Sequence, residues 1–212
     1  MPGLRERKKE QTRQTIRAAA LRLFAEDGFD ATTISEIARA ANVSEGTVFN
    51  YFPTKEDLIF SGMEESESAL LKAIRERQPG ETVLTAFRRY ILEPRGLLAS
   101  QDPEASKRLA TVSRIIVTSP ALVARENQIV AHNTHALAAL IAKETRTSTN
   151  DVTPWIAANA LMGVHRALLD QLRKRIVSTP TQASRIARGI RTQADHALTL
   201  LEHGLNDYAK RH

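Results

Sequence analysis

A short segment in the first third of the chain constrains the fold most, because it holds the start and stop signals of two helices in close succession. Thr33 and Glu36 have the spacing of a capping box, in which each side chain accepts a hydrogen bond from the other residue's backbone. Asn42 follows the first helix, where a residue that tolerates the left-handed conformation is favoured. Ser44 then predicts the cap of a second helix over Glu45–Phe52. The pattern predicts two short helices joined by a tight turn.

Two such helices can form a helix-turn-helix, which places its second helix in the major groove of DNA. An ordinary helical hairpin within a core is the alternative, and the residues that follow help to choose between them. Pro53 ends the second helix, and Thr54 with Asp57 predicts the cap of the next. Lys55 then lies in the first turn of that helix, where a cation opposes the helix dipole, which argues against a purely structural role. A phosphate against both the lysine and the helix N-terminus explains the placement.

The sequence FAEDGFDATTISEIARAANVSEGTVFNYFPTKEDL, within residues 16–58, resembles the N-terminal domain of the tetracycline-repressor (TetR/AcrR) family of transcriptional regulators. The resemblance implies a DNA-binding domain over residues 1–55 and a ligand-binding and dimerisation domain over residues 56–212. The predicted DNA contacts are base edges for Thr47 and Asn50, close backbone approach at Gly46, flanking contacts for Glu45, Phe49 and Tyr51, and phosphates for Thr33, Ser44, Thr54 and Lys55.

Phe49 departs from the pattern of the family, in which a tyrosine usually holds this position and its hydroxyl reaches a phosphate. Phe49 has no hydroxyl and cannot form that hydrogen bond, although its ring can pack on a thymine methyl group. The departure affects one predicted contact and leaves the prediction of the domain unchanged.

Composition limits the class of protein. The chain has 212 residues and no cysteine, so disulfides and thiolate metal sites are excluded. The N-terminus lacks an apolar signal segment, and no run approaches the roughly 18 apolar residues of a membrane span, so we expect a soluble cytoplasmic protein. Strand signals are nearly absent. The predicted fold class is all-α, with an N-terminal three-helix domain, a C-terminal helical bundle and about nine helices.

Charge is distributed unevenly along the chain, whose net charge of +6 suggests an anionic partner. Residues 1–25 hold seven Lys/Arg and two Asp/Glu, whereas residues 26–60 hold two and seven. The predicted DNA-binding domain is therefore neutral, and the excess lies in the rest of the chain. A basic segment before the first helix is either a DNA-contacting arm or a solubilising tail; it consists of Arg5, Arg7, Lys8 and Lys9.

Apolar periodicity together with proline and glycine breaks predicts the remaining helices. Gly28 is expected to end the first of them, and Pro94 to kink or split the one that contains it. The predicted helices outside the helix-turn-helix cover about Lys9–Asp27, Lys55–Arg77, Thr82–Ala99, Pro103–Thr118, Ala121–Thr145, Val152–Ile176 and Thr181–Lys210.

Small residues recur on the last two predicted helices, and they suit either a core within one subunit or a four-helix dimer interface. The resemblance implies the dimer interface. A single recognition helix also buries too little surface for tight specific binding, whereas a twofold dimer reaches both halves of a pseudo-palindromic operator in double-stranded DNA. We therefore expect a homodimer through the last two helices.

Candidate effector-binding residues are the large or polar groups on helices that line the cavity in resembling proteins. Taken singly, each is more simply explained as a core residue, and together they do not identify the small-molecule effector. The candidates are Phe87, Tyr90, Trp155, Met162 and His165, with Arg114 and Asn133 as polar anchors.

Catalytic motifs such as G-x-S-x-G, the P-loop and G-x-G-x-x-G do not occur in the sequence. His132 and His135 are three residues apart on a predicted helix and could share a metal, but no third ligand is evident. We therefore expect no enzymatic activity, no cofactor and no metal site.

The predicted function is a dimeric transcriptional regulator, a repressor that leaves its operator when a small molecule favours the DNA-incompetent state of the dimer. Two alternatives stay open from the sequence. One is a DNA-binding scaffold that responds to no ligand. The other is a helical small-molecule-binding protein or enzyme whose N-terminal domain has lost DNA binding.

Overall fold

A computed structural model describes residues 3–93, 102–148, 150–179 and 182–204, except for the side chains of residues 62–68, 103, 183 and 184. Within these ranges the fold is all-α, as predicted, and no strand occurs. The helices are α1 (Leu4–Glu26), α2 (Ile34–Ala40), α3 (Glu45–Tyr51), α4 (Asp57–Arg75), α5 (Val83–Leu92), α6 (Pro103–Thr118), α7 (Pro120–Thr145), α8 (Thr153–Ser178) and α9 (Ala183–His203).

The chain forms two compact units. The N-terminal unit comprises residues 1–65 and 111–127, and the C-terminal unit comprises residues 66–110 and 128–212. The N-terminal unit therefore contains α1 to α3, the first part of α4, the end of α6 and the beginning of α7. None of the helices in the described ranges combines the length and the apolar character needed to cross a bilayer.

The N-terminal unit is built on apolar side chains that α1, α2 and α3 bury. α2 packs against both α1 and α3. Ile16 and Phe24 of α1, Ile37 of α2, Val48 of α3 and the adjacent Phe52 are all buried. Burial of each such side chain favours folding by about 1.5–3 kcal/mol. Together they hold the helix-turn-helix in place.

α1 begins earlier than predicted, and the prediction that the basic segment precedes the first helix was wrong. The carboxylate of Glu6 accepts a hydrogen bond from the backbone N–H of Gly3 at 3.0 Å, which satisfies a donor at the start of the helix. This cap lets the helix begin at Leu4. Its first turns contain the whole exposed basic segment, Arg5, Arg7, Lys8 and Lys9.

The C-terminal unit has a core to which α4, α5, α7, α8 and α9 all contribute. Its buried side chains include Ile74, Phe87, Leu137, Met162 and Leu198. A second buried cluster joins the end of α8 to the start of α9 and to α6, through Ala110, Leu172, Ile176, Ile186 and Ile190.

Helix ends differ from the predictions mainly where proline or glycine intervenes. α6 has the predicted bounds. α5 ends at Leu92, and Glu93 is extended, as the steric demand of a following proline favours. The predicted continuation of this helix to Ala99, with its kink at Pro94, lies outside the described residues. α9 ends at His203 instead of Lys210, because Gly204 has a φ of 82° that terminates the helix.

Candidate nucleic-acid interface

The first short helix, α2, begins at a reciprocal cap. The backbone N–H of Thr33 donates to Glu36 Oε2 at 2.7 Å, and the N–H of Glu36 donates to Thr33 Oγ1 at 3.2 Å. The Thr33 hydroxyl also donates to the same carboxylate at 2.8 Å. These hydrogen bonds from the Thr33 backbone and side chain lower the pKa of Glu36. The predicted capping box is confirmed.

The turn between α2 and α3 depends on Asn42, whose φ of 54° lies in the left-handed region. The N–H of Asn42 donates to the carbonyl of Arg39 at 3.2 Å, and the N–H of Val43 donates to the carbonyl of Ala38 at 3.0 Å. These bonds satisfy the last carbonyls of α2 and reverse the chain. The predicted role of Asn42 is confirmed.

The second short helix, α3, begins at a pair of hydroxyl groups. Ser44 Oγ accepts a hydrogen bond from the N–H of Thr47 at 3.1 Å, which confirms Ser44 as the cap. The same oxygen lies 2.8 Å from Thr47 Oγ1, and either hydroxyl can donate to the other. Since only one of the two hydroxyl hydrogens is used between them, the other can reach a partner outside the protein.

α3 has one buried face and one exposed face. Val48 and Phe52 are completely buried and fix the helix to the unit. Phe49 is 47% exposed, which is a large apolar area for a surface side chain. Tyr51 and Thr47 are half-buried. The residues predicted to face DNA that are exposed on this helix are Glu45, Gly46, Phe49 and Asn50.

The turn between α3 and α4 contains the last predicted DNA contacts. The N–H of Thr54 donates to Asp57 Oδ2 at 2.9 Å, and the N–H of Asp57 donates to Thr54 Oγ1 at 3.3 Å. This second reciprocal cap is the predicted one. α4 begins at Asp57, so Lys55 lies in the turn before the helix and not, as predicted, in its first turn.

Lys55 makes a structural contact that sequence reasoning had discounted. Its Nζ lies 4.4 Å from the centre of the Phe29 ring and 5.9 Å from that of Phe24. Burial lowers the pKa of Lys55, while the carboxylates of Asp30, Glu56 and Glu36 act in the opposite direction. Attraction between the ammonium and the ring faces therefore holds the side chain within the unit.

Within the N-terminal unit, residues 111–127 contact residues 1–65 through two polar pairs. Ser119 Oγ donates to Asp30 Oδ1 at 3.1 Å. Arg125 Nη2 lies 3.7 Å from Asp57 Oδ1. The two carboxylates flank the helix-turn-helix, one before α2 and one at the start of α4. Sequence reasoning missed these contacts, because the partners are far apart in the chain and no local pattern marks them.

Four of the seven candidate effector residues are buried in the C-terminal unit. Phe87, Tyr90 and Met162 belong to its core cluster. Asn133 is buried on α7. This environment fits both a packed core and the lining of a ligand site.

His165 is also partly buried in the C-terminal unit, and it has an unusual environment. Its Nδ1 is buried and has no hydrogen-bond partner within the described part of the chain. Burial, reinforced by the charge of Arg173, lowers the pKa of His165 to about 4. The imidazole is therefore neutral at pH 7, with a nitrogen that a bound polar group could satisfy.

The remaining two candidates lie at the surface. Arg114 is exposed and belongs to the N-terminal unit. Trp155 is 40% exposed, and its ring packs edge-on against that of His135 with 4.4 Å between the centres. Nowhere in the described ranges do three His, Asp or Glu residues come together as a metal site, and the pair His132 and His135 gains no third ligand there.

Comparison with known proteins places the chain in a family of transcriptional regulators. Residues 16–61 match the family described as bacterial regulatory proteins, tetR family, and residues 81–192 match the family described as the MftR C-terminal domain. The second match alone covers more than half of the chain. The chain belongs to the TetR family of DNA-binding, helix-turn-helix transcriptional regulators, as its resemblance to that family predicted.

Individual relatives agree with this assignment. The HTH-type transcriptional regulator TcmR of Streptomyces glaucescens is 37% identical over 86 residues, which cover 41% of this chain and 38% of TcmR. The HTH-type transcriptional regulator AcrR of Shigella flexneri is 38% identical over 89 residues, 40% of this chain and 41% of AcrR. The chain thus spans about two-fifths of the length of these curated relatives.

Solved structures extend the similarity over nearly the whole chain. NalD of Pseudomonas aeruginosa, the secondary repressor of the MexAB-OprM multidrug efflux pump, superimposes with a TM-score of 0.57 at 25% identity, covering 94% of this chain and 100% of NalD. SmeT in its complex with triclosan gives a TM-score of 0.54 at 16% identity, covering 88% of this chain and 91% of SmeT. The second similarity concerns the fold alone.

Proposed function

We propose that the protein is a dimeric, ligand-responsive repressor that acts in the cytoplasm and leaves a pseudo-palindromic operator when it binds a small molecule. DNA binding is assigned to residues 1–55, and ligand binding and dimerisation to residues 56–212. The observation that carries the proposal is the exposed face of α3, because two caps and the left-handed turn at Asn42 hold this helix in a defined orientation. The description of NalD as a repressor supports the direction of regulation.

The exposed residues of α3 supply the sequence-reading contacts in this proposal. Asn50 is an exposed amide that can pair with an adenine edge in the major groove. Phe49 packs on a thymine methyl group, which gives its exposed ring a partner. Gly46 allows close backbone approach, since an added Cβ would meet only Ser44 Oγ at 3.9 Å on the protein side. Thr47 also contacts a base edge, and Glu45 and Tyr51 flank these contacts.

Phosphate contacts come from the helix starts and from Lys55. Thr33 acts through the helix N-terminus that it caps, because its hydroxyl donates to Glu36. The Thr54 hydroxyl only accepts a hydrogen bond from Asp57, so it can donate to a phosphate. Ser44 contributes through the hydroxyl pair that it forms with Thr47. Lys55 leaves the ring of Phe29 to reach a phosphate, so DNA competes with that cation–π contact.

The exposed face of α8 supports a homodimer through α8 and α9. Val152 and Ile156 are each 63% exposed, and Gly163 continues the same stripe. A Cβ added at Gly163 would meet nothing within 4 Å in its own subunit. Glycine in a helix interior costs stability relative to alanine, so close approach of a partner helix gives a reason for its presence.

The effector site is assigned to the C-terminal unit around the buried polar groups Asn133 and His165. Phe87, Tyr90 and Met162 supply the apolar surroundings that small-molecule sites usually have. The Nδ1 of His165, which has no partner among the described residues, gives such a ligand one hydrogen bond. For release from DNA, the effector has to bind the DNA-incompetent state of the dimer more tightly than the competent one.

Fluorescence anisotropy on duplex DNA from upstream of the protein's own gene, with random duplex as competitor, tests the proposal. We expect the wild type to prefer the upstream duplex and the Asn50→Ala variant to lose that preference. Lys55→Ala should weaken binding to both duplexes alike and lower the slope of log K against log salt by about one. Equal binding of the two duplexes by the wild type would count against an operator in this region.

A further inference from the structure

The end of α8 and the start of α9 carry a concentration of positive charge that the proposed function does not use. Residues 166–191 contain seven Lys/Arg and one Asp/Glu, an excess that equals the net charge of +6 of the whole chain. Arg173 is buried. The other six cations are exposed or half-buried and form the basic surface, which consists of Arg166, Lys174, Arg175, Arg185, Arg188 and Arg191.

The structure brings the cations of the two helices together. α8 and α9 pack against each other through Leu172, Ile176, Ile186 and Ile190. Arg175 of α8 reaches across to α9, since its Nη1 lies 3.9 Å from the position of a Cβ added at Gly189. That glycine is the neighbour of Arg188.

The residues that the structure describes do not neutralise this charge. In the described part of the chain no carboxylate forms an ion pair with any of the six cations, whereas Arg77, Arg88 and Arg89 of the same unit are all paired with Asp or Glu. Within the described part of their own subunit the six cations therefore have no carboxylate partner, and an anion outside the subunit can neutralise them.

Two of the cations occupy positions that disfavour them in an isolated helix. Arg185 lies in the first turn of α9, which has no acidic residue to balance it, and a cation there opposes the helix dipole. Arg188 is three residues from both Arg185 and Arg191, a spacing at which like charges repel. Since helix stability gains nothing from this arrangement, an external anionic partner accounts for it best.

We propose that the basic surface binds the phosphate backbone of duplex DNA without regard to sequence. The inference rests on the proposed function and adds a second DNA contact to it. Residues 1–60 carry equal numbers of Lys/Arg and Asp/Glu, so the N-terminal segment supplies little net attraction to a polyanion. Phosphate neutralisation by cations provides most sequence-independent affinity for DNA, and the basic surface provides these cations.

The chemistry of the surface favours a nucleic acid over a lipid bilayer. Membrane-surface helices combine cations with exposed apolar side chains that enter the lipid. Among the described side chains of residues 166–191, no large apolar group is exposed. The neighbours of the cations are polar instead, for example Gln171, Thr192 and Gln193. Five of the six cations are arginines, which bind phosphate oxygens in a bidentate manner.

A matched pair of double variants tests the proposal. In Arg185→Gln/Arg188→Gln, two cations of the basic surface are neutralised. The control Lys107→Gln/Arg108→Gln changes the net charge by the same amount as the surface variant. Its two cations are exposed on α6 and form ion pairs with Glu104 and Asp102. Anisotropy with the upstream duplex and with random duplex is recorded over a series of salt concentrations for the full-length proteins.

We expect the surface variant to lower the slope of log K against log salt by about two per subunit on both duplexes, and the control to retain the wild-type slope. The variant Lys174→Gln/Arg175→Gln repeats the test on α8. Sedimentation and thermal melting check that each variant keeps its assembly and fold. Equal slopes for the surface variants and the wild type would overturn the proposal. The proposal would also be overturned if the surface variants lost binding to phosphatidylglycerol vesicles while their DNA binding was unchanged.

The two proposals fail separately in this experiment. If the wild type prefers the upstream duplex and the surface variants have the wild-type salt slope, the proposal of the basic surface is overturned and the operator-binding function is retained. If the wild type binds both duplexes alike and the salt slope falls in the surface variants, the proposal of the basic surface is retained and an operator in that region is rejected.

Discussion

A single imidazole, His165, is expected to make the stability of the protein depend on pH. Its pKa is about 4 in the folded protein and 6.5 in an ordinary environment. Below pH 6.5 the unfolded chain takes up the proton first, so the free energy of unfolding falls as the pH falls towards 4. The loss is about 1.4 kcal/mol per pH unit within this window.

His165→Gln removes this titration, and urea unfolding at several pH values measures it. We expect the wild type to lose stability relative to the variant as the pH falls from 6.5 to about 4. His132→Gln, at an exposed histidine, is the control and should follow the wild type. Parallel curves for wild type and His165→Gln would show that the histidine is accessible to protons in the folded state.

Residue-scale predictions succeeded where the partner was three residues away. Thr33 with Glu36, and Thr54 with Asp57, form the expected caps because a single helical turn brings each pair together. Lys55 shows the limit of such reasoning. Its ring contact with Phe29 depends on how α1 and the following loop pack, and the spacing of residues along the chain does not specify that packing.

At the scale of elements, the turn between α2 and α3 is expected to depend on one backbone conformation. Asn42→Ala should lower the free energy of unfolding by roughly 1–2 kcal/mol, because a Cβ-bearing residue without a polar side chain tolerates a φ of 54° poorly. Asn42→Gly should retain the wild-type stability, since glycine adopts this conformation readily. Thermal melting of both variants measures the difference. Equal losses in the two would assign the effect to the Asn42 side chain.

Element boundaries followed local chemistry closely when a strong breaker was present. α7 begins at Pro120, which marks the break after α6, and Gly28, with a φ of 88°, follows α1 as its predicted stop. The start of α1 was predicted too late, because the run of cations disguised the capping role of Glu6. Competing local signals therefore account for this error, and no tertiary contact is needed to explain it.

At the scale of the whole molecule, the proposed dimer makes Gly163 a sensitive position. Gly163→Met leaves the subunit folded, because a side chain there meets open space and methionine has a higher helix propensity. The same side chain should separate the facing helices of a dimer. We expect sedimentation equilibrium to show a shift to monomers, with loss of tight binding to the upstream duplex.

The control for this variant is Lys72→Met, which adds the same side chain to an exposed position of α4. It should dimerise and bind DNA as the wild type does. Dimers of Gly163→Met as tight as those of the wild type would place the interface elsewhere on the molecule.

The sequence by itself determined the fold class, the helix-turn-helix and its caps, because these depend on hydrogen bonds and apolar spacing within a few helical turns. It also indicated the family, through the resemblance of the segment within residues 16–58. The tertiary structure alone decided three further features: the ring contact of Lys55, the pairs of Ser119 with Asp30 and of Arg125 with Asp57, and the burial of four effector candidates. The gathering of cations on α8 and α9 likewise became visible only in the packed structure. Each of these features joins residues that are distant in the chain, and only folding brings such residues within contact distance.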